Sequence, residues 1–520
     1  MPRQKNPHGQ YFTPRALAEM MVSLATSRPD ARVLEPSAGQ GVFLDVLSAH
    51  GFTDVTGIEI DPALVRSSAH PLLLGSFVSW TPPHPYDLVI GNPPYIRWRD
   101  LSAEGRAEVE AHRLFGTLFN SLSDYLTVFI ALSVEALAPR GELVFVTPSF
   151  WMHTAHSAAL RNWLLERGHV SDVVHFGEAA VFPGVASSII VFRFVKDGGP
   201  APASDVTLHR YVGPRRVPSE LSLDDAALFT HTAVAPFSAG AHWTLADRES
   251  LAPVEAVEQA CRRPDGEVAR LGDYVDIANG MVSGRDAAFT VTADLYAALS
   301  PRERRALIPV AKARQLSPYV ARESALYIHL PTGLSEAEAR RRYPRILAHL
   351  DTRRADLERR YSYGRALAYW EWSFERSRTF FLNGQPKGMV PSKERLTARR
   401  CVRVALAPSG VVATQDVTAF APRSGVKESL EYIVAYLNQP PVTDWIRVRG
   451  LMKGGVAEFS ERPLGDVPMR AIDWSDPDEV AAHERITEDM VALGGAPEAQ
   501  RAALEARIAS AFTDLLALGR

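Results

Sequence analysis

The sequence has little cysteine: Cys261 and Cys401 are the only two in 520 residues. Two thiols cannot build a disulfide framework or a thiolate metal cluster, so a reducing, cytoplasmic setting is expected. The first ten residues, MPRQKNPHGQ, lack the apolar core of a secretory signal peptide. No uncharged apolar stretch reaches the ~20 residues that a membrane span needs. These absences predict a soluble intracellular protein with no membrane segment.

The chain also lacks a sizeable net charge, since 57 Lys and Arg oppose 60 Asp and Glu to give −3. The charge is nevertheless uneven along the sequence. Residues 301–405, which we call the basic block, contain 23 basic and 10 acidic side chains, a balance of +13. A basic block within an otherwise acidic chain predicts contact with a polyanion that is confined to one region.

Strand-like and helix-like segments alternate from residue 11 to about 195. RVLEPSAGQG, DVTGIEIDP and DLVIGNPP each contain a short apolar strand, and FNSLSDYLTVFIALSVEAL has the spacing of a helix. Such alternation predicts an α/β domain with a parallel, doubly wound sheet. The Gly- and Pro-rich stretch KDGGPAPASD that follows predicts an exit linker.

Beyond this linker the pattern changes to short β-like runs around helices, the clearest helix being SLEYIVAYLNQPPVTDWIRVR. The change predicts a separate α+β domain that contains the basic block. The last residues are rich in Ala and Glu and favour helix. The expected organisation is a catalytic α/β domain at 1–200, a connecting region at 201–265, an α+β domain at 266–475 and a helical segment at 476–520.

A glycine loop follows the first predicted strand, with Gly39 and Gly41 in VLEPSAGQG. Glycines there let backbone N–H groups approach a ligand closely. Glu59 stands about 20 residues further on, where an acid commonly binds ribose hydroxyls. The third glycine of the dinucleotide fingerprint is missing, which favours a cofactor with one nucleoside. An amino-acid tail fits because Glu35 could bind its ammonium group; an ordinary strand–loop–helix would share the glycine pattern.

The segment YDLVIGNPPYIRW places an amide, two prolines and a phenol directly after an apolar strand. Neither proline can donate to a strand ladder, and together they make a stiff loop with fixed carbonyls. The Asn92 side-chain oxygen and the Pro93 carbonyl could accept both N–H groups of an adenine 6-amino group and localise its lone pair for attack on a sulfonium methyl. Tyr95 offers a face on which the base can stack. A base inside a duplex must first be flipped out.

In their order and spacing, QYFTP, LEPSAGQG, GIEIDP and GNPPY resemble the Taq-type, or gamma-class, DNA adenine methyltransferases of restriction–modification systems. The resemblance is strong over residues 9–195. It implies a Rossmann-like class I S-adenosylmethionine-dependent methyltransferase domain followed by an α+β target-recognition domain. It also implies sequence-specific methylation of a flipped adenine in double-stranded DNA, with no metal required. GNPPY alone is less specific, because RNA and protein-glutamine methyltransferases use related versions.

The resemblance further implies roles for single residues. Asn92 and Pro93 would polarise the target amine, while Tyr95 and Phe182 would stack on the flipped base. The S-adenosylmethionine pocket would contain Thr13, Glu35, Ser37, Gly39, Gly41, Glu59, Ile60, Ser76, Phe77 and Phe129. Ser76 departs from the family, which usually has an Asp there to accept from the cofactor's adenine amine. A hydroxyl carries no charge, so weaker cofactor binding is expected.

Three basic residues near a glycine pair suggest phosphate contacts in the C-terminal half. Arg447, Arg449 and Lys453 surround Gly454-Gly455 in RVRGLMKGGVAEF. A solvated basic face would have the same pattern, and which residues read bases is left open.

Only about ten residues precede YFTP, too few for an endonuclease domain. The chain is therefore expected to be the modification component beside a separate cognate restriction endonuclease. Two alternatives remain at this point: a methyltransferase acting on RNA or on protein glutamine, and a catalytically idle DNA-binding homologue.

Overall fold

The computed structural model describes residues 11–66, 68–121, 123–182, 188–197, 205–240, 242–321, 324–396, 401–453 and 455–516. The chain divides into two compact units, Met1–Arg248 and Glu249–Arg520. Among the helices in these ranges, none combines the length and the apolar character that crossing a bilayer requires.

The first unit alternates strands and helices along most of its length, as the sequence predicts. Its elements are α1 (Arg15–Leu24), β1 (Arg32–Glu35), α2 (Val42–Ala49), β2 (Asp54–Glu59), β3 (Leu72–Leu74), β4 (Tyr86–Gly91), α3 (Ala103–Glu110), α4 (Tyr125–Ala136), β5 (Leu137–Pro148), α5 (Ala158–Leu165), β6 (Gly168–His175), β7 (Ile189–Lys196), β8 (Val206–Tyr211) and β9 (Phe229–Val234).

These strands form one sheet, nine-stranded within the described residues, in the order β3-β2-β1-β4-β5-β7-β6-β8-β9. The strands from β3 to β5 are parallel neighbours, whereas β7 runs antiparallel to both β5 and β6. The strand order reverses between β1 and β4. Ligands of doubly wound sheets bind at such a reversal, beyond the carboxyl ends of the strands. Glu35 ends β1 and Gly91 ends β4, so the two sequence motifs meet there.

Apolar side chains bury the central strands on both faces. Leu88, Val89 and Ile90 of β4 are fully buried, as expected for a parallel strand with layers on either side. On one face α1 and α2 contribute to the core, and on the other α4 is buried along nearly its whole length. This second layer brings α4 close to the end of the sheet where the motifs lie.

The sheet continues past the predicted domain boundary at residue 200. β8 pairs with β6, and β9 pairs with β8. The predicted connecting region 201–265 is therefore corrected: its first part completes the sheet, and its last part belongs to a helix of the second unit. The sequence pattern of a strand was weak here because β9, FTHTAV, lies at the sheet edge and buries only its two end residues.

The second unit combines short strands with helices. Its elements are α6 (Arg248–Ala260), α7 (Leu271–Tyr274), β10 (Val275–Asn279), α8 (Asp286–Phe289), α9 (Ala293–Ala298), α10 (Pro301–Arg304), β11 (Leu307–Ala311), β12 (Tyr319–Val320), β13 (Ala325–Ile328), α11 (Glu336–Arg342), α12 (Pro344–Asp351), α13 (Arg354–Glu358), α14 (Arg378–Phe381), β14 (Lys387–Pro391), β15 (Lys393–Arg395), β16 (Ala405–Ala407), β17 (Val412–Ala413), β18 (Val417–Pro422), α15 (Leu430–Leu437), α16 (Pro440–Arg449), β19 (Met452–Lys453), β20 (Val456–Glu458), α17 (Glu461–Gly465), α18 (Pro477–Gly495) and α19 (Glu498–Leu515).

Within the described residues, the second unit contains a five-stranded sheet, β10-β18-β14-β16-β12, and two three-stranded sheets. Helices α18 and α19 pack against each other, and α18 also packs on α15. This is the α+β architecture that the sequence predicts. One prediction was wrong in detail, because SLEYIVAYLNQPPVTDWIRVR forms two helices, α15 and α16. Pro440 and Pro441 cannot continue a helix but can begin one, and they stand at the start of α16.

Candidate active site

A cavity of about 240 Å³ lies beyond the carboxyl ends of β1, β2 and β4. A second cavity of about 50 Å³ shares part of its lining. Of the predicted cofactor residues, the larger cavity is lined by Ser37, Gly39, Glu59, Ile60, Ser76, Phe77 and Phe129, and the smaller one adds Thr13 and Glu35. Asn92 borders both cavities, so the strand reversal brings the two motifs to one site.

The two glycines of the loop after β1 have different places. Gly39 lines both cavities, and its N–H donates to Glu59 Oε2 at 2.6 Å. Gly41 lines neither cavity. It is the N-cap of α2 at φ +76°, and its N–H donates to the Ala38 carbonyl at 2.7 Å. Gly41 therefore shapes the turn, which needs a left-handed residue, while Gly39 presents backbone to the cavity.

Glu35 is a buried carboxyl with an unmet hydrogen-bonding need. It is 1% exposed, and its Oε2 has no partner among the described residues. Burial raises the pKa of Glu35 well above its ordinary value, and the nearby negative charges of Glu59 and Asp45 add to the effect. A buried acceptor without a donor is unusual and points to a bound group that supplies one. The ammonium of an amino-acid tail has the right charge and donors.

Glu59 is held in place by backbone donors. One oxygen accepts from Gly39 N at 2.6 Å and the other from Asp61 N at 2.8 Å. Since a carboxylate has about four acceptor sites, two remain for ribose hydroxyls in the cavity. The predicted ribose position thus has a fixed acid beside it.

Aromatic and aliphatic side chains form part of the lining of the larger cavity. The rings of Phe77 and Phe129 lie 5.2 Å apart between centroids, and Ile60 is 47% exposed at the cavity edge. Such apolar surfaces suit the faces of a purine. Ser76 stands beside Phe77, and its hydroxyl donates to the Glu108 carboxylate at 2.6 Å. Sequence reasoning missed Glu108, since 32 residues separate it from Ser76 and no local pattern connects them.

Asn92 is oriented by contacts at both ends of its carboxamide. Its Nδ2 donates to the Tyr11 carbonyl at 2.7 Å and lies 3.2 Å from Thr13 Oγ1. Its Oδ1 accepts from the Tyr95 hydroxyl, which also reaches the Val146 carbonyl at 2.7 Å. Burial raises the pKa of Tyr95 well above its ordinary value, so the hydroxyl stays protonated. An amide oxygen has two lone pairs, and Asn92 keeps one for a ligand.

Pro93 is buried, and the backbone next to it is fixed by the Ser37 hydroxyl, which donates to the Asn92 carbonyl at 3.1 Å. Within the described residues, nothing donates to the Pro93 carbonyl. Two oxygens, one from the Asn92 side chain and one from the Pro93 main chain, are thus carried by one rigid loop.

Tyr11, a residue that sequence reasoning missed, lies beside both predicted stacking aromatics. Its ring is 6.0 Å from that of Tyr95 at an interplanar angle of 24°, and 6.3 Å from that of Phe182 at 48°. Phe182 itself is only 1% exposed. The available signal was the aromatic in QYFTP, two residues before Thr13.

The structure places the predicted DNA contacts in the second unit. Arg447 forms an ion pair with Asp444 at 2.5 Å, and Arg449 pairs with Glu258 at 3.3 Å. The side chain of Lys453, like Gly454, lies outside the described residues. Their role as phosphate contacts stays a prediction.

Known protein families match both parts of the sequence that contribute to these cavities. Residues 2–59 match the N-6 DNA Methylase family, and residues 75–182 match the Eco57I restriction-modification methylase family. The Type II methyltransferase M.HindII of Haemophilus influenzae is 34% identical over 490 residues, covering 92% of each chain. M.HincII, from the same species, is 33% identical over 480 residues, also covering 92% of each.

A solved structure shares the fold over nearly the whole chain. It is the type IIL restriction-modification enzyme MmeI in complex with DNA, at 12% identity and a TM-score of 0.60, covering 97% of this chain and 73% of that one. The predicted Rossmann-like class I methyltransferase fold is confirmed, and the relatives support DNA methylation rather than an RNA or protein substrate. The chain belongs to the Type II DNA methyltransferases of restriction–modification systems.

Proposed function

We propose that the protein methylates the 6-amino group of an adenine in a specific sequence of double-stranded DNA, with S-adenosylmethionine as methyl donor. The observation that carries this proposal is the pair of oxygens at the end of β4. The Asn92 amide oxygen has a lone pair to spare and the Pro93 carbonyl has no donor among the described residues. Two acceptors on one rigid loop match the two N–H groups of an exocyclic amine.

The residues around the cavities fit S-adenosylmethionine. Glu35 would bind the ammonium of its methionine tail, and Glu59 would accept from the ribose hydroxyls. Ile60, Phe77 and Phe129 would pack on its adenine. When bound, this cofactor supplies a methyl group on a positively charged sulfur.

The chain's own contribution to the chemistry is positioning and polarisation. Asn92 and Pro93 would accept from the two N–H groups of the target and draw its nitrogen toward tetrahedral geometry. Tyr95 would hold Asn92 through its hydroxyl and the flipped base through its ring. None of these groups has to act as a strong base before attack.

Adenine is favoured over cytosine, although the 4-amino group of cytosine presents the same two donors. The match of residues 2–59 to the N-6 DNA Methylase family supports adenine. The second unit, which contains the basic block, would bind and read the duplex. A separate cognate restriction endonuclease would then be the functional partner.

Labelled methyl transfer tests the proposal. Purified protein is incubated with methyl-labelled S-adenosylmethionine and duplex DNA, RNA or protein, and the DNA is digested to nucleosides for mass spectrometry. We expect label in DNA only, as N6-methyladenine. Label as N4-methylcytosine would refute the choice of base, and DNA binding with neither cofactor binding nor methyl transfer would indicate the idle homologue.

The Asn92→Ala variant tests the assigned role. Loss of a group that stabilises only the transition state costs about 10²-fold or more in kcat. Cofactor affinity, measured by calorimetry, should change little because Asn92 is not expected to bind the cofactor's charged groups. Turnover close to that of the parent protein would disprove the role.

A further inference from the structure

Ser76 has a charged neighbour in the larger cavity. It follows β3, and its hydroxyl donates to Oε2 of Glu108 on α3 at 2.6 Å. Both residues line the cavity, together with Phe77 and Phe129. Position 76 has no carboxylate of its own, but the Glu108 carboxylate is hydrogen-bonded directly to it.

Tyr125 lines the same cavity as Ser76 and Glu108. Burial and the negative charge of Glu108 raise the pKa of Tyr125 to about 12, so the phenol stays protonated. The Ser76 hydroxyl gives its one proton to Glu108. Glu108, which carries a charge, is therefore a stronger acceptor in this cavity than Ser76.

Glu108 has acceptor capacity to spare. Ser76 is its one hydrogen-bond partner among the described residues, and it uses one of about four acceptor sites. Another acid, Glu104, also lines the cavity but is exposed and hydrogen-bonds with Ser102 and its own backbone. Glu108 is half-buried and lines the same cavity as the apolar side chains that suit a purine.

We propose that Glu108 binds the exocyclic amine of the cofactor's adenine and so replaces the acid that position 76 lacks. This inference rests on the proposed use of S-adenosylmethionine. A carboxylate accepts from an amine and repels a 6-oxo group, so Glu108 makes the pocket select adenosine over inosine. Although position 76 has a serine instead of an acid, the pocket still contains a negative charge, because Glu108 on α3 supplies it.

Calorimetry with two ligands tests this role: S-adenosylhomocysteine and its 6-oxo analogue, S-inosylhomocysteine. The parent protein should prefer the amine. Because a charge-assisted hydrogen bond is lost, Glu108→Gln should weaken S-adenosylhomocysteine binding by about 10-fold or more. It should also remove the preference, since the new amide can donate to a 6-oxo group. Glu110→Gln, an exposed acid on the same helix, is the matched control and should bind as the parent does.

A double variant distinguishes loss of the carboxylate from damage to the fold as the cause of weaker binding in Glu108→Gln. Combining Ser76→Asp with Glu108→Gln returns the carboxylate to position 76 and should restore the preference for the amine. Parent-like affinity and preference in Glu108→Gln alone would overturn the role of Glu108 and leave the proposed cofactor intact. Absence of heat with the parent protein at millimolar S-adenosylhomocysteine would overturn the cofactor assignment and, with it, this inference.

Discussion

At the residue scale, the hydrogen-bond partners of two polar side chains, Asn92 and Glu35, define the candidate site. Asn92 is fixed at its nitrogen by Tyr11 and Thr13 and at its oxygen by Tyr95. Glu35 presents the opposite situation, a buried oxygen with no described donor. The first arrangement fixes the orientation of a side chain, and the second leaves a buried carboxyl oxygen whose hydrogen bond a ligand could supply.

Glu35 should make stability depend on pH. Because its folded-state pKa is raised, the native protein binds the proton more tightly than the unfolded chain, and stability falls as pH rises through that window. At pH 8, Glu35→Gln should therefore have a free energy of unfolding about 1–3 kcal/mol higher than that of the parent protein, and so a higher melting temperature. The difference should vanish near pH 4. The same variant should bind S-adenosylmethionine more weakly. Thermal melts from pH 4 to 8 measure the first effect, and equal melting at all pH values would contradict it.

Tyr95 combines two roles that a conservative change can separate. Tyr95→Phe keeps the predicted stacking ring but removes the hydroxyl, which lies within hydrogen-bonding distance of Asn92 Oδ1 and of the Val146 carbonyl. We expect kcat to fall about 10-fold because the Asn92 oxygen is less well oriented, whereas DNA affinity stays near that of the parent. Tyr95→Ala should also weaken binding of DNA. Single-turnover kinetics with matched DNA titrations measure both quantities; an unchanged kcat in Tyr95→Phe would show that the hydroxyl has no positioning role.

At the element scale, predictions succeeded where the signal is local. The strands ending at Glu35 and Gly91 follow from short apolar runs that close with glycine or proline, and the meeting of their motifs follows from parallel topology. Glu108 could not be predicted, because its partnership with Ser76 depends on how α3 folds over the sheet. The edge strand β9 was missed since it is largely polar, and α15 and α16 were joined because their apolar spacing continues across Pro440.

The turn from β1 into α2 should be sensitive to a single methyl group. Gly41 has φ +76°, and a Cβ there would lie 3.1 Å from the Arg66 guanidinium. Gly41→Ala should cost about 1–2 kcal/mol of unfolding free energy, the usual penalty for a left-handed non-glycine residue. Denaturant titration measures the cost. Gly494→Ala, within α18 and with no atom near its added Cβ, is the control and should be neutral or stabilising.

At the scale of the whole molecule, the two units differ in charge as well as in architecture. The basic block lies entirely in the second unit, and several of its arginines are neutralised within the fold, such as Arg340 by Glu336 and Asp351. Others, including Arg341, Arg353 and Arg365, are exposed and form no ion pair in the described part of the chain. These side chains retain their full charge for a polyanion.

The salt dependence of DNA binding should distinguish these classes of arginine. Changing Arg341 and Arg353 to Gln should weaken binding to all sequences alike and reduce the slope of log K against log salt by about 1 for each phosphate contact removed. Lys453→Ala should act in the same way if it contacts phosphate as the sequence predicts. Arg462→Gln, exposed in the same unit but outside the block, is the control. An unchanged slope in the double variant would place the DNA elsewhere.

The position of Tyr11 has a consequence for how the enzyme encounters its substrate. A ring separation of 6.0 Å is itself ordinary aromatic contact, which leaves no room for a base between Tyr11 and Tyr95. If an extruded base stacks on Tyr95 as proposed, it would compete with Tyr11, a side chain of the protein's own N-terminal segment. The apparent affinity for DNA would then be the intrinsic affinity multiplied by the fraction of molecules in which Tyr11 has withdrawn. This competition would disfavour binding of free adenine nucleotides. A duplex that is also bound through its backbone could shift the population toward molecules in which Tyr11 has withdrawn.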